Sequence, residues 1–169
     1  MVTAMGLEIR EARADEWRRY KTLRLDMLSD TPRAFGHTLD QVRMQPETWW
    51  QIRTSSQLMP DSGWFVVAGS DEWFGQMLTR SFGERAYLLE VYLSPTLRGS
   101  GLASRLLAKA EQWASARGHR RLWLDVNEQQ VAARRFYERE GFVTTGVRQP
   151  HELFPDDYEL EMVKELRSS

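Results

Sequence analysis

The chain has 169 residues, 41% hydrophobic and 28% charged, with a formal net charge of −1. Those proportions describe one ordinary globular domain over residues 1–169, and the near-neutral balance argues against a dedicated nucleic-acid binder. There is no cysteine, which removes disulfides, thiolate metal sites and cysteine nucleophiles together and fits a cytoplasmic protein. No apolar run approaches the ~20 residues that a membrane span needs, so no membrane partner is expected. The opening MVTAMGLEIR lacks the basic and then apolar blocks of a secretory signal, and Met5 is an alternative start.

Residues 7–12 alternate Leu7 and Ile9 with Glu8 and Arg10, the pattern of a half-buried strand. Asp15 then stands as the cap of a helix in which Trp17, Tyr20, Leu23, Met27 and Leu28 recur at helical spacing. Asp30, Pro32 and Gly36 break that pattern. A second helix begins near Pro46, a residue suited to a first turn, and carries Trp49, Trp50 and Ile52. Adjacent tryptophans cannot share one helix face, so at least one is expected near a cleft or the surface. From Trp64 the texture changes to strands. WFVVA and FGQMLTR flank a turn at 69–73 as a hairpin, and a second turn at 82–85 leads into a third strand, YLLEVYL.

That strand enters the stretch around which the chain is arranged. Pro95, Gly99 and Gly101 form a short turn, and a helix follows with a stripe of Leu102, Leu106, Ala110 and Trp113, ended by Gly118. A strand, a glycine turn and a helix start leave backbone N–H groups free to hold phosphate. RRLWLDVN then alternates Leu122, Leu124 and Val126 against Arg121, Trp123 and Asp125, completing a right-handed crossover between two parallel strands. A helix over 131–140 closes at Gly141. Strands near 142–148 and 157–166 finish the chain, joined by the polar loop RQPHELFPDD. The order β-α-α-β-β-β-α-β-α-β-β makes an α/β fold, a mixed sheet with helices on both faces.

Two ligands compete for the glycine turn. Gly99-x-Gly101-x-x-Ser104 nearly matches the dinucleotide pattern, and Asp125 lies about 20 residues on. Serine stands, however, where close packing wants glycine or alanine, and too little chain follows Asp125 for a doubly wound sheet. The other candidate is acyl-CoA. Leu93-Ser94-Pro95, Arg98-x-x-Gly101-x-Ala103, Leu124-Asp125-Val126, and Ala133, Tyr137, Gly141 and Phe142 follow in order, each on the expected element. In these residues, and over nearly all its length, the chain resembles the GNAT family of N-acetyltransferases. Leucine at 93 and alanine at 103 depart conservatively from the family pattern. Gln130 stands where the family often has asparagine, so either Gln130 or Asn127 is left for an amide contact with the cofactor.

The resemblance implies a centrally splayed sheet of six to seven strands, acetyl-CoA as cosubstrate, and direct acetyl transfer to a primary amine of a small molecule or peptide. A non-catalytic acyl-CoA-binding module on the same fold is the alternative. Backbone amides of Arg98, Gly99, Ser100, Gly101, Leu102 and Ala103 would hold the diphosphate, joined by the Ser104 hydroxyl and the Arg98 side chain. Backbone groups of Val91 and Leu93 would pair with the pantetheine arm, an N–H near Val91 serving as oxyanion donor. Ala133 would line the cofactor, and Tyr137 occupies the family's general-acid position. Glu90, charged within an otherwise apolar strand, is the nominated base. The acceptor is expected between the first two helices and the 148–157 loop, with Phe35, Trp49, Trp50, Glu152, Phe154, Asp156 and Asp157 as candidates. His151 in that loop is a base or substrate contact or, more simply, a solvated loop histidine. His37, His119 and His151 are too scattered for a metal set, and no metal is expected. Family habit adds a homodimer.

Overall fold

In the computed structural model, residues 6–167 are described; Met5 lies outside them. Strand alternation sets the architecture. In β2 (Ser62–Ala68), Trp64, Val66 and Ala68 enter one hydrophobic cluster, while Phe65 and Val67 enter a second on the opposite face. A strand buried on both sides belongs at the centre of a layered core. The sheet has seven strands in the order β1 (Glu8–Glu11), β2, β3 (Trp73–Phe82), β4 (Arg85–Leu93), β5 (Arg121–Asn127), β7 (Tyr158–Glu165) and β6 (Val143–Pro150). All neighbours are antiparallel except β4 and β5, the parallel pair of the crossover.

One face carries α1 (Trp17–Asp30), the short α2 (Leu39–Arg43) and α3 (Glu47–Gln57). The other carries α4 (Leu102–Ala116) and α5 (Val131–Arg139). Helix α4 lies so tightly on β2 that a Cβ at Gly63 would stand 2.4 Å from the Trp113 ring. Three boundaries differ from the sequence expectation. Asp15 does not cap α1: it lies in a 3₁₀ turn, Ala14–Glu16, and the Glu16 carboxylate accepts from the Arg13 amide at 3.1 Å instead. Helix α2 is too short for a periodic signal and depends on its cap, Thr38 and Gln41 bonding reciprocally at 3.3 and 2.8 Å. Strand β6 runs on to Pro150 at the sheet edge, where a missing N–H is tolerated, so the final connection is 151–157 rather than 148–157.

The functional consequence lies at β4 and β5. They pair only at Ala86–Leu122 and Tyr87–Trp123 and then diverge. Strand β4 also bulges against β3: Leu89 pairs with Leu78 and Tyr92 with Gln76, so Glu90 and Val91 together oppose Met77. Glu90 takes the left-handed backbone, φ 54°, which only a constrained non-glycine residue holds. The splay and the bulge open a wedge through the middle of the sheet.

Candidate active site

The wedge widens into a cavity of about 740 Å³. Side chains of both hydrophobic clusters line it, Met77, Val126 and Tyr137 from one and Phe35, Leu78 and Leu89 from the other, so it passes between the two faces of the sheet.

At the α4 end the wall is backbone. Gly99 and Gly101 have φ of 77° and 82°, and a Cβ on either would meet nothing within 4 Å. Gly101 is the N-cap of α4 and brings no side chain to its amides. Among the described residues, the amides of Gly99, Gly101, Ala103 and Ser104 find no backbone acceptor. Open donors at a helix N-terminus are what a diphosphate requires, so the residues present fit acetyl-CoA. Gly99, Ala103, Val91, Leu93 and Ala133 all line the cavity. Leu102 turns its side chain into the core. The neighbouring side chains are less free. Arg98 donates Nε to the Leu93 carbonyl at 3.1 Å and Nη2 to Asp30, so it ties the turn to α1. Ser104 donates to Glu140 Oε1 at 2.5 Å, and Ser100 to the Leu97 carbonyl at 2.5 Å.

Tyr137 projects from α5 into the wedge, 6% exposed, and its hydroxyl makes no hydrogen bond with another described residue. Burial pushes its proton affinity well above that of a free phenol. Of the two amide candidates, Asn127 is committed to the fold. Its Nδ2 donates to the Arg33 carbonyl at 3.1 Å and Asp157 Oδ2 at 3.2 Å, and its Oδ1 accepts from the Gln129 amide at 2.9 Å. Gln130 lines the cavity at the N-cap of α5 with no such ties.

The α1/α3 side is built from paired side chains. Glu90 lines the cavity with both oxygens engaged, Oε2 by Arg24 Nη1 and Oε1 by Arg53 Nη2 at 3.3 Å. Asp125, by contrast, faces the cavity with no partner among the described residues. Its side chain is solvent-exposed, yet partial desolvation at the cavity wall, and then the carboxylates of Glu159 and Glu161, raise it from 3.8 to about 6. Cross-strand pairing sets Asp125 directly opposite Glu161, and Glu159 one position along on the same face. Like charges placed opposite one another cost stability, which a purely structural site would avoid. Glu159 is also raised, chiefly by burial.

His151 corrects the expectation of a solvated residue. It is 3% exposed, lines the cavity, accepts the Leu153 amide at Nδ1 (3.1 Å) and turns Nε2 toward Glu159, 3.9 Å away. The amide on Nδ1 leaves the ring proton on Nε2. The 151–157 turn is held down by Asp157, which accepts from Arg33 at 2.9 Å and is lowered chiefly by that bond. Phe35 and Glu152 line the cavity. Phe154 instead packs on His151 and Arg33, with centroid distances of 5.2 and 4.8 Å, and Asp156 is exposed. Trp49 is half-buried beneath Arg53. Trp50 cannot touch an acceptor: it is completely buried, edge-on to Tyr20 at 5.9 Å. The adjacent tryptophans thus divide as expected, one to the core and one to the rim. Two cavity residues went unremarked as acceptor contacts in the sequence, Arg53 and Glu159. Asp125 drew notice only as a dinucleotide acid, although alternation already set it opposite the core face.

Among the described residues, no three His, Cys, Asp or Glu side chains gather as metal ligands would, and no helix is long and apolar enough to cross a membrane. An uncharacterized N-acetyltransferase of Mycobacterium tuberculosis is 38% identical over 72 residues, a match covering 43% of this chain and 46% of that one. The chain therefore spans just under half the length of the curated relative it matches. A GNAT-family acetyltransferase from Streptococcus pneumoniae superposes with a TM-score of 0.78 at 22% identity, over 96% of this chain and all of that one. PaiA N-acetyltransferase from Thermoplasma acidophilum, whose crystal structure contains coenzyme A, gives 0.70 at 18% identity over 95% and 99% of the two chains. Residues 17–142, from α1 through the Tyr137 helix to Phe142, match the Acetyltransferase (GNAT) family model, and the chain belongs to that family.

Proposed function

We propose that the protein transfers the acetyl group of acetyl-CoA directly to a primary amine, without a covalent enzyme intermediate. The observation that carries this reading is the Tyr137 hydroxyl, which stands in the wedge beside the cofactor cradle, protonated and without a partner among the described residues. A phenol so placed is a proton donor for a departing thiolate. The open amides from Gly99 to Ser104 support diphosphate binding, and a protein of the same fold holds coenzyme A.

An alkyl amine has a pKa near ~10.4, so at neutral pH it arrives as an ammonium ion and must lose a proton before it attacks. Asp125 is a better acceptor for that proton than Glu90. Its oxygens are free, whereas those of Glu90 are held by two guanidiniums. The amine nitrogen then bonds to the thioester carbonyl carbon, and the carbon–sulfur bond breaks. Tyr137 gives its proton to the sulfur and is reprotonated from solvent. In balance, an ammonium and a thioester become an amide, a thiol and one released proton. A backbone N–H of the bulged segment at Val91 is placed to polarise the carbonyl.

The test is CoA release across an amine panel, with pH–rate profiles for the wild type and Asp125→Asn. The wild-type rate is expected to rise through about pH 6 and level off, following the raised carboxyl. Asp125→Asn should lose about 100-fold in kcat and that limb with it. Acetyl-CoA binding without CoA release from any amine would leave a binding module instead. The cysteine-free composition supports a cytoplasmic setting, and β6, whose eight residues are all exposed, offers an edge for a homodimer that light scattering would detect.

A further inference from the structure

On the α1/α3 side the cavity wall carries more positive charge than the fold neutralises. Arg24 is completely buried and spends only Nη1, on Glu90; its Nε and Nη2 have no hydrogen-bond partner. Arg53 faces the cavity, with Nε donating to the Tyr20 hydroxyl at 2.8 Å and Nη2 to Glu90 at 3.3 Å. Its Nη1 donates to no described residue. Two guanidiniums thus share a single carboxylate, and one positive charge is left over at the wall. Aromatic faces hold the two planes without supplying a counter-charge: Phe35 lies 5.1 Å from the Arg24 carbon and Trp49 5.4 Å from that of Arg53. A guanidinium on a cavity wall without a counter-ion of its own weakens a fold, so Arg53, whose Glu90 partner is shared with the buried Arg24, points to an anion that arrives from outside. The same cavity is also lined by the carboxylates Asp125, Glu152 and Glu159.

Building on the N-acetyltransferase reading, we infer that the acceptor itself brings the missing anion: it is an amine that also bears a carboxylate, an amino-acid-like zwitterion whose carboxylate pairs with Arg53 while its amino group meets Asp125. Arg53 offers the forked N–H geometry that suits a planar carboxylate. Arg24 stands behind and keeps Glu90 from cancelling that charge. Simple alkylamines would leave the excess charge unpaired.

The test uses matched acceptors, each amino acid against the amine lacking its carboxylate: lysine with cadaverine, β-alanine with ethylamine, phenylalanine with phenethylamine. CoA release is expected to show at least a tenfold higher kcat/KM for the carboxylate-bearing member of the best pair, expressed in KM. Arg53→Gln should shrink that preference below twofold, and Arg53→Lys should restore part of it. Calorimetry should find acetyl-CoA affinity unchanged in both variants. Amino-acid binding to the CoA-saturated protein, measured the same way, should weaken at least tenfold in Arg53→Gln. Equal or better turnover of the decarboxylated amines overturns the inference and leaves the N-acetyltransferase reading standing, as does an Arg53→Gln protein that keeps the preference. Should Arg53→Gln fail to fold, the wild-type pairs alone decide. A wild type that releases CoA to no acceptor overturns the parent reading, and this inference with it.

Discussion

The two ends of the cavity are made of different materials. At the α4 end the contacts on offer are backbone amides in a glycine turn, and the nearby side chains of Arg98, Ser100 and Ser104 are tied to other parts of the protein. At the α1/α3 end the contacts are charged side chains from segments far apart in sequence, two guanidiniums on one carboxylate among them. The first end reads a constant ligand, for which fixed dipoles suffice. The second can change its ligand by exchanging one side chain. A backbone wall needs glycine at particular φ values; a side-chain wall needs compensation among its charges. The two should therefore fail in different ways.

The largest expected effect comes where the walls meet. Tyr137→Phe should lower kcat by about 1,000-fold while calorimetry finds acetyl-CoA affinity unchanged, since the hydroxyl has no partner in the fold. Next is Glu90→Gln, which strips from Arg24 and Arg53 the one carboxylate that pairs with them among the described residues. Thermal melting should show a loss of about 2 kcal/mol, or ~4–8 °C for a chain of this size. If turnover vanishes with melting unchanged, Glu90 is the base and Asp125 is not. Gly101→Asp adds a Cβ at φ 82° and a negative charge in the cradle. It should weaken acetyl-CoA binding about tenfold or more and leave amino-acid recognition untouched.

The smallest effect reverses sign. The folded protein holds the Asp125 proton more tightly than the unfolded chain, near about 6 against 3.8. Stability therefore falls as pH rises through that window, and the full penalty is present above it. Asp125→Asn removes the penalty, most of which solvent screens at this exposed position, so its melting temperature at pH 8 should exceed the wild type's by about 1–2 °C. The gain should vanish below about pH 4. A destabilised variant at pH 8 would place Asp125 in a structural contact.

The contrast between the walls also explains what the sequence could disclose. The glycine turn, Ala133, Tyr137 and Gly141 sit within continuous segments whose spacing is fixed by one helix or one turn, so pattern alone locates them. The acceptor wall joins Arg24 to Glu90 across 66 residues and Asn127 to Arg33 across 94. No periodicity connects such positions. For the same reason His151 looked solvated within RQPHELFPDD, although Asp157 and Arg33 fold that turn onto the end of β5. Trp50 was misplaced because helix spacing says which residues share a face but not what a second helix lays over it. Glu90 stood out correctly as a charge in an apolar strand, and only the fold supplied its two arginines.

The bulge in β4 can be read as a length rather than a shape. Leu88 and Leu93 lie on one face of the sheet, Leu89 and Tyr92 on the other. Removing Glu90 would leave Leu89, Val91, Tyr92 and Leu93 in unbroken alternation, each on the face it already occupies, with Val91 packed beside Leu88. The surplus residue is therefore Glu90 itself. The kink and the carboxylate that Arg24 and Arg53 share thus depend on one and the same residue, and a variant lacking it should carry a regular strand with the two guanidiniums left facing each other.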